Sequence, residues 1–355
     1  MKYSLRISLG VFFLASTFYF FVSLVIFRVI NVLLFSKLQV SNYFLSFAFA
    51  GCLCLMIFFQ YTVDPYQIQV DRWSAIHNFL HYFLCGQYPY MAQTHLGGYG
   101  SPFPIWQFFH FPFYLFGNVG LSIFFVWAFF TYSIKSYAGN AAALVSIILL
   151  VISPAFVYEI VVRSDLVTNF LLVASILIFF YIKKIRLSSH FWMIAATSGL
   201  LLSTRFTAVI PLSMYYFYEW YKLPLMRKLL FPIVVIGIFL LTFLPFVLWD
   251  IDDLFFFKYN PFMLQSRQIQ SADFILFIPL FIYWAYSWRH HESIKICYLK
   301  LMKNISYFLI VLIMVTFMHN MVLSGNYLIF SSTYDITYFN MALPYLVMGI
   351  SIGSR

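Results

Sequence analysis

The stretch Leu166-Val-Thr-Asn-Phe-Leu-Leu-Val-Ala-Ser-Ile-Leu-Ile-Phe-Phe-Tyr-Ile-Lys-Lys-Ile-Arg186 decides the class of this fold. Residues 166–182 carry no charge, and an uncharged helix of about 17–25 residues is long enough to cross a bilayer. The run stops on Lys183-Lys-Ile-Arg186, the kind of basic cluster that stays on the cytoplasmic side. Comparable apolar runs recur at roughly 7–27, 40–61, 113–134, 140–159, 229–248, 274–288, 305–323 and 336–352. The chain therefore reads as an all-α membrane protein of about 10–11 transmembrane helices, forming a single polytopic domain over residues 1–355.

Composition agrees. The chain is 63% hydrophobic and 9% charged, with a mean hydropathy of +0.88, whereas soluble domains carry roughly 25% charged residues. Apolar runs of helical length exclude an outer-membrane barrel, whose strands alternate polar and apolar. Aromatic residues, 23% of the chain, suit lipid-facing helices and interfacial belts. The net charge of +10 sits largely in short loops between spans, so it reads as the positive-inside bias and not as a nucleic-acid surface. Cys52, Cys54, Cys85 and Cys297 show no metal spacing and read as packed thiols. Met1-Lys-Tyr-Ser-Leu-Arg precedes an apolar stretch too long for a signal sequence, so residues 1–39 are expected to form a retained N-terminal span.

The basic clusters fix the topology. Lys183–Arg186, Lys222 with Arg227-Lys228, and Arg289 to Lys303 should lie inside. Asp250-Ile-Asp-Asp253, Glu159 to Asp165 and the first long loop, 62–112, then fall outside. Two basic clusters on one side require an even number of crossings between them. The stretch 190–220 is therefore expected to hold a pair of short or broken helices with Arg205 near the outer tip, because an arginine is tolerated at depth only where it is enclosed or wet.

The first external loop carries the polar chemistry. From Asp71 it reads Asp-Arg-Trp-Ser-Ala-Ile-His-Asn-Phe-Leu-His-Tyr-Phe-Leu, with Trp73, Ile76, Leu80 and Phe83 on one helical face and Asp71, Ser74, Asn78 and His81 on the other. This predicts an external interfacial helix at about 71–84, its polar face over a cavity. The helix ends at Cys85-Gly86, followed by Tyr88-Pro-Tyr90, Gly97-Gly-Tyr-Gly100 and Ser101-Pro-Phe-Pro104. Asp71 fits a base or an N-cap; Asp64, before Pro65, fits a base or a turn. Arg205 fits a phosphate ligand, a snorkelling side chain or an ion pair. Arg163 is spaced to pair with Glu159 or Asp165. Arg72 and Arg267 are loop arginines that could reach phosphate. Asp335 opens the last span as a cap or a cavity group. His77, His81, His95 and His110 form no convincing ligand set, since the His77/His81 pair lacks the accompanying Glu of metal helices; no metal and no cofactor are expected.

These features resemble the GT-C-type membrane glycosyltransferases, which use polyprenyl-phosphate sugars. The similar elements are an Asp after an early span, the interfacial helix, the Cys85-Gly-Gln-Tyr-Pro-Tyr90 turn and the proline-rich return. Arg163-Ser-Asp165, Gly199-Leu-Leu-Leu-Ser-Thr-Arg205, Pro245 to Asp250 and Asn260 to Ser266 are also similar, so the likeness runs loosely over most of the chain from about residue 40. It implies an inverting enzyme of cell-envelope glycan or glycoconjugate synthesis. Sugar would pass from a polyprenyl-phosphate donor to a lipid- or protein-linked acceptor, at the external face of a bacterial inner membrane. Catalysis would fall to Asp71 with Asp64, donor phosphate to Arg205, Arg72, Arg163 and Arg267, and acceptor or cavity contacts to His81, Tyr90 and Asp335. Membrane lipids are the remaining expected partner, and nucleic acid is not one. The alternatives are an O-antigen-type polysaccharide polymerase, or a transporter or lipid flippase, the last expected to show internal repeats or several charged span centres.

Overall fold

The computed structural model describes residues 39–255, 260–266, 294–326 and 335–353, with isolated positions at 21–28 and 278–282. Among them there is no strand; the chain is an all-α, multi-pass membrane protein. The helices are α1 (Asn42–Thr62), α2 (Arg72–Leu84), α3 (Pro104–Phe109), α4 (Phe111–Leu115), α5 (Ser122–Ile152), α6 (Pro154–Val161) and α7 (Leu166–Ile182). They continue as α8 (Phe191–Leu202), α9 (Val209–Tyr221), α10 (Leu225–Trp249), α11 (Ile251–Phe255), α12 (Pro261–Ser266), α13 (Ile294–Ser324) and α14 (Leu343–Gly353). Among the described residues, five helical runs are long and apolar enough to cross a membrane, or six if the bent pair α6 and α7 is one span. The expected spans at 7–27 and 274–288 fall almost entirely outside the described residues.

Where the chain turns, the sequence supplies the reason. Ser41 caps α1 by accepting from the Phe44 N–H at 3.1 Å. The long run α5 is two helices broken at Gly139, whose φ of 83° and ψ of −179° are open in practice only to glycine. The chain reverses there. Tyr137 rings against Tyr181 and Tyr298, and Asn140 donates to the Val40 carbonyl, whereas Gly120 and Ile160 both accept from Gln60 at the far end of α1. Pro154 starts α6, and a 115° bend at 162–165 separates it from α7. Arg205 lies between the short helices α8 and α9, as the crossing count requires. Gly199 lets α8 press on α10; a Cβ there would stand 2.7 Å from the Val235 carbonyl oxygen.

The molecule has two chemically different ends. The turns at 183–190 and 222–224 lie at one, with Lys183, Lys184, Arg186, Lys222, Arg227 and Lys228 beside the Tyr137–Tyr181–Tyr298 ring cluster. The other holds Asp64, Asp71, Glu159, Asp165, Asp250, Asp252, Asp253 and Asp335, the greater part of the 11 acidic residues in the chain. The apolar core is likewise in two parts. One fills the space among α1, α5, α7, α9, α13 and α14. The second is aromatic and binds the first loop to α10: Phe79 meets Tyr90 at 4.9 Å and Phe246 at 5.8 Å, and Phe103 meets Phe243 at 5.3 Å.

Candidate functional site

The acidic end is built on the loop that follows α1. Asp64 precedes Pro65, and its carboxylate accepts from the Tyr66 N–H at 3.0 Å, closing a short 3-10 turn over Pro65–Gln67. Asp64 is thus the turn residue that the Asp-Pro pair allowed. Asp71 occupies the N-cap position of α2, yet its side chain caps nothing there. Its Oδ2 accepts instead from the Thr94 hydroxyl at 2.9 Å, while Oδ1 has no hydrogen bond among the described residues.

The helix at Arg72–Leu84 stands where the sequence predicts it, ending at Cys85 with Gly86 at φ 70°. Its surroundings differ from expectation. Trp73, Ile76, Phe79 and Leu80 pack on protein, not lipid. The polar face is stitched to the returning chain: Ser74 to the His95 ring at 2.8 Å, Asn78 to the Gln93 carbonyl at 2.7 Å. The 93–99 return thus partners Ser74 and Asn78 on the face that the sequence places over a cavity.

Two arginines sit in ion pairs, that of Arg205 buried and that of Arg72 half-buried. Arg72 donates to Asp335 at 2.6 Å, to the Thr337 hydroxyl at 2.7 Å and to the Ser164 hydroxyl at 3.1 Å, with Glu159 at 3.9 Å. Burial alone would lower the Arg72 pKa, but the carboxylates of Asp335, Glu159 and Asp165 outweigh it and raise it. Burial likewise opposes ionisation of Asp335, and here Arg72 and the Thr337 donors prevail, holding the carboxyl below its ordinary range. Asp335 also accepts from the Thr337 N–H at 3.1 Å and so caps the turn Ile336–Ala342. Glu159, fully buried, accepts from the Val167 N–H and from Asn340.

Arg205 donates to Asp165 Oδ2 at 2.5 Å, and the Trp106 indole N–H donates to the same oxygen at 2.6 Å. The neighbouring backbone joins the loop to the α8–α9 tip. Gln265 accepts from the Phe206 N–H at 2.8 Å and donates to the Ser101 carbonyl at 2.7 Å. His110 is buried with its Nδ1 2.8 Å from the Trp106 carbonyl, which can only accept, so Nδ1 carries the proton. Burial pushes its pKa down to about 4, and Asp165 and Arg205 lie near enough to act on its charge in opposite directions.

Arg163 stands apart. Its φ of 53° is rare for a residue with a side chain. The guanidinium donates to the Gln60 carbonyl at 3.2 Å and lies 5.9 Å from the centre of the Tyr61 ring, and Nε has no partner. It forms no salt bridge with Glu159 or Asp165, the partners that spacing allowed; among the described residues Glu159 pairs with Arg72 and Asp165 with Arg205. The left-handed turn at Arg163 carries its side chain off the helical register that an i,i+4 pair needs.

The remaining candidates scatter. His81 is exposed, with Nδ1 3.3 Å from the Tyr114 hydroxyl. Tyr90 is buried in the aromatic cluster with its hydroxyl on the Pro102 carbonyl, so it is a core residue and not a cavity group. Arg267 lies outside the described residues. No metal-holding group of His, Cys, Asp or Glu occurs among the described residues. Four residues of the buried network went unread in the sequence as site members: Trp106, His110, Glu159 and Asp165. An acid in the bend before a span was a signal for Asp165; nothing local marked Trp106. No family model, curated protein or solved structure matches the chain.

Proposed function

We propose that the chain is an inverting, GT-C-type membrane glycosyltransferase that moves a sugar from a polyprenyl-phosphate donor to a lipid- or protein-linked acceptor. The charge asymmetry supports an orientation with the basic end in the cytoplasm and the acidic end at the external, periplasmic face of a bacterial inner membrane. The observation that carries the reading is the company of two unspent groups at the acidic end. Asp71 keeps one carboxylate oxygen unbonded, and Arg163 has no carboxylate partner among the described residues. Their chain neighbours Arg72 and Ser164 are hydrogen-bonded at 3.1 Å.

In the reaction the acceptor hydroxyl oxygen bonds to the anomeric carbon of the donor as the bond from that carbon to the phosphate oxygen breaks. The bonding pair leaves with the polyprenyl phosphate, and the hydroxyl proton passes to Asp71 Oδ1. Arg163 stabilises the departing phosphate through its planar fork. Arg72 and Arg205, neutralised by buried carboxylates, hold the loop and tip in place and take no phosphate. Inversion rests on the resemblance to GT-C enzymes.

With labelled polyprenyl-phosphate sugar and purified protein, Asp71→Asn should lower turnover by about 10²–10⁴-fold, the usual contribution of a general base. Arg163→Ala should weaken donor use, with Arg163→Lys intermediate because a point charge replaces a fork. Near wild-type turnover in Asp71→Asn would remove it as the base. Donor movement across the membrane without release of free lipid phosphate would decide for transport.

A further inference from the structure

Tyr66 is 65% exposed at the acidic end, yet it is held with unusual care for an exposed aromatic. Pro65 fixes the backbone before it. The Asp64 carboxylate accepts its N–H at 3.0 Å, and the Trp73 indole N–H donates to the Pro65 carbonyl at 3.3 Å. The Trp73 ring also braces it, perpendicular at 5.0 Å, and the His95 ring stands at 6.0 Å. Other exposed aromatics, such as Tyr43, Phe47 and Phe58, line the outer face of α1, where lipid contact asks for no fixed ring. An aromatic that only anchors a protein at an interface needs no such scaffold either.

Its neighbours give the ring a role. Asp71 is tied to this surface through Thr94, which accompanies the His95 that rings against Tyr66. Arg163 is near enough for Asp64 and Tyr66 to act on its charge. A rigid, exposed phenol in the neighbourhood of a carboxylate with an open oxygen and a cation suits a ligand with an apolar ring face and polar edges. A pyranose has that form: its axial C–H bonds meet the electron-rich ring face while its hydroxyls reach the flanking groups.

We infer that Tyr66 is a stacking platform for a pyranose ring, and that it sets preference for ring-form sugars at the acidic end. The inference rests on the glycosyl-transfer reading above and names the ring contact in it. Asp64 then serves as a positioning residue, acting on the sugar only through the Tyr66 backbone.

The test is saturation-transfer NMR on the purified full chain in nanodiscs, using a panel of methyl pyranosides with xylitol as a ring-free polyol control. Wild type and Tyr66→Phe should transfer saturation to pyranoside C–H protons and not to xylitol, and Tyr66→Ala should lose about tenfold in affinity, the scale of a 1–1.5 kcal/mol aromatic contact. Equal pyranoside binding by Tyr66→Ala and wild type, or no preference of wild type for pyranosides over xylitol, overturns the platform. Pyranoside binding by a wild-type protein that releases no lipid phosphate overturns the transferase reading while leaving the ring contact standing.

Discussion

At the residue scale the acidic end is governed by which arginine finds which acid. Arg205 and Asp165 are both buried, so removing one leaves the other as an uncompensated charge. Arg205→Met should cost about 3–5 kcal/mol of stability in a denaturation assay, and Arg205→Met with Asp165→Leu should recover most of it. His110 makes the same region sensitive to acid. Its folded pKa, about 4, lies below the ordinary 6.5, so the folded state binds fewer protons than the unfolded one in between. Its contribution is therefore complete above pH 6.5 and is lost as pH falls towards 4, on the order of 3 kcal/mol in all. His110→Gln should flatten that part of the stability profile. Asp335 adds a lower window: held below its ordinary range, it stabilises above about pH 4 and releases Arg72 as pH falls further. The sequence marked Arg205 as a tip residue because an arginine between two short apolar helices admits few other places. It did not reveal that Asp165 is its partner, because that choice depends on the left-handed turn at Arg163, which local spacing does not encode.

At the scale of elements, hydropathy located the helices and glycine located the breaks. Residues 113–134 and 140–159 read as separate spans; the structure turns between them at Gly139 and begins the first later, because α3 and α4 occupy 104–115. Gly139→Ala should be destabilising by at least about 1–3 kcal/mol, since no residue with a Cβ holds that backbone cheaply. Gly199→Ala should cost a similar amount, because the carbonyl it meets belongs to the α10 backbone and cannot rotate away. Thermal unfolding of the purified variants measures both. The α2 helix was legible from its period, but the covering of its polar face was not. The 93–99 return folds over that face through single hydrogen bonds to Ser74 and Asn78, which no local periodicity announces.

At the scale of the whole molecule, the separation of acidic and basic ends is the feature that the spacing of charged clusters along the chain reported most directly. It fixes a testable sidedness. Cys85 is exposed at the acidic end, and Ser189 is exposed beside Arg186 at the basic end. In intact cells a membrane-impermeant maleimide should label Cys85, whereas a Ser189→Cys variant lacking the native cysteines should react only after permeabilisation. Labelling of the two from the same side would contradict the orientation on which the external site depends.

At this acidic end Asp71 is the proposed base for sugar transfer from a lipid phosphate. Its most direct test is the stoichiometric release of free polyprenyl phosphate in proteoliposomes supplied with the polyprenyl-phosphate sugar and a lipid-linked acceptor. One lipid phosphate should be freed per sugar transferred by the wild type, with Asp71→Asn reduced by about two orders of magnitude or more at unchanged folding. Equal release by both proteins, or sugar movement with no lipid phosphate freed, would contradict it.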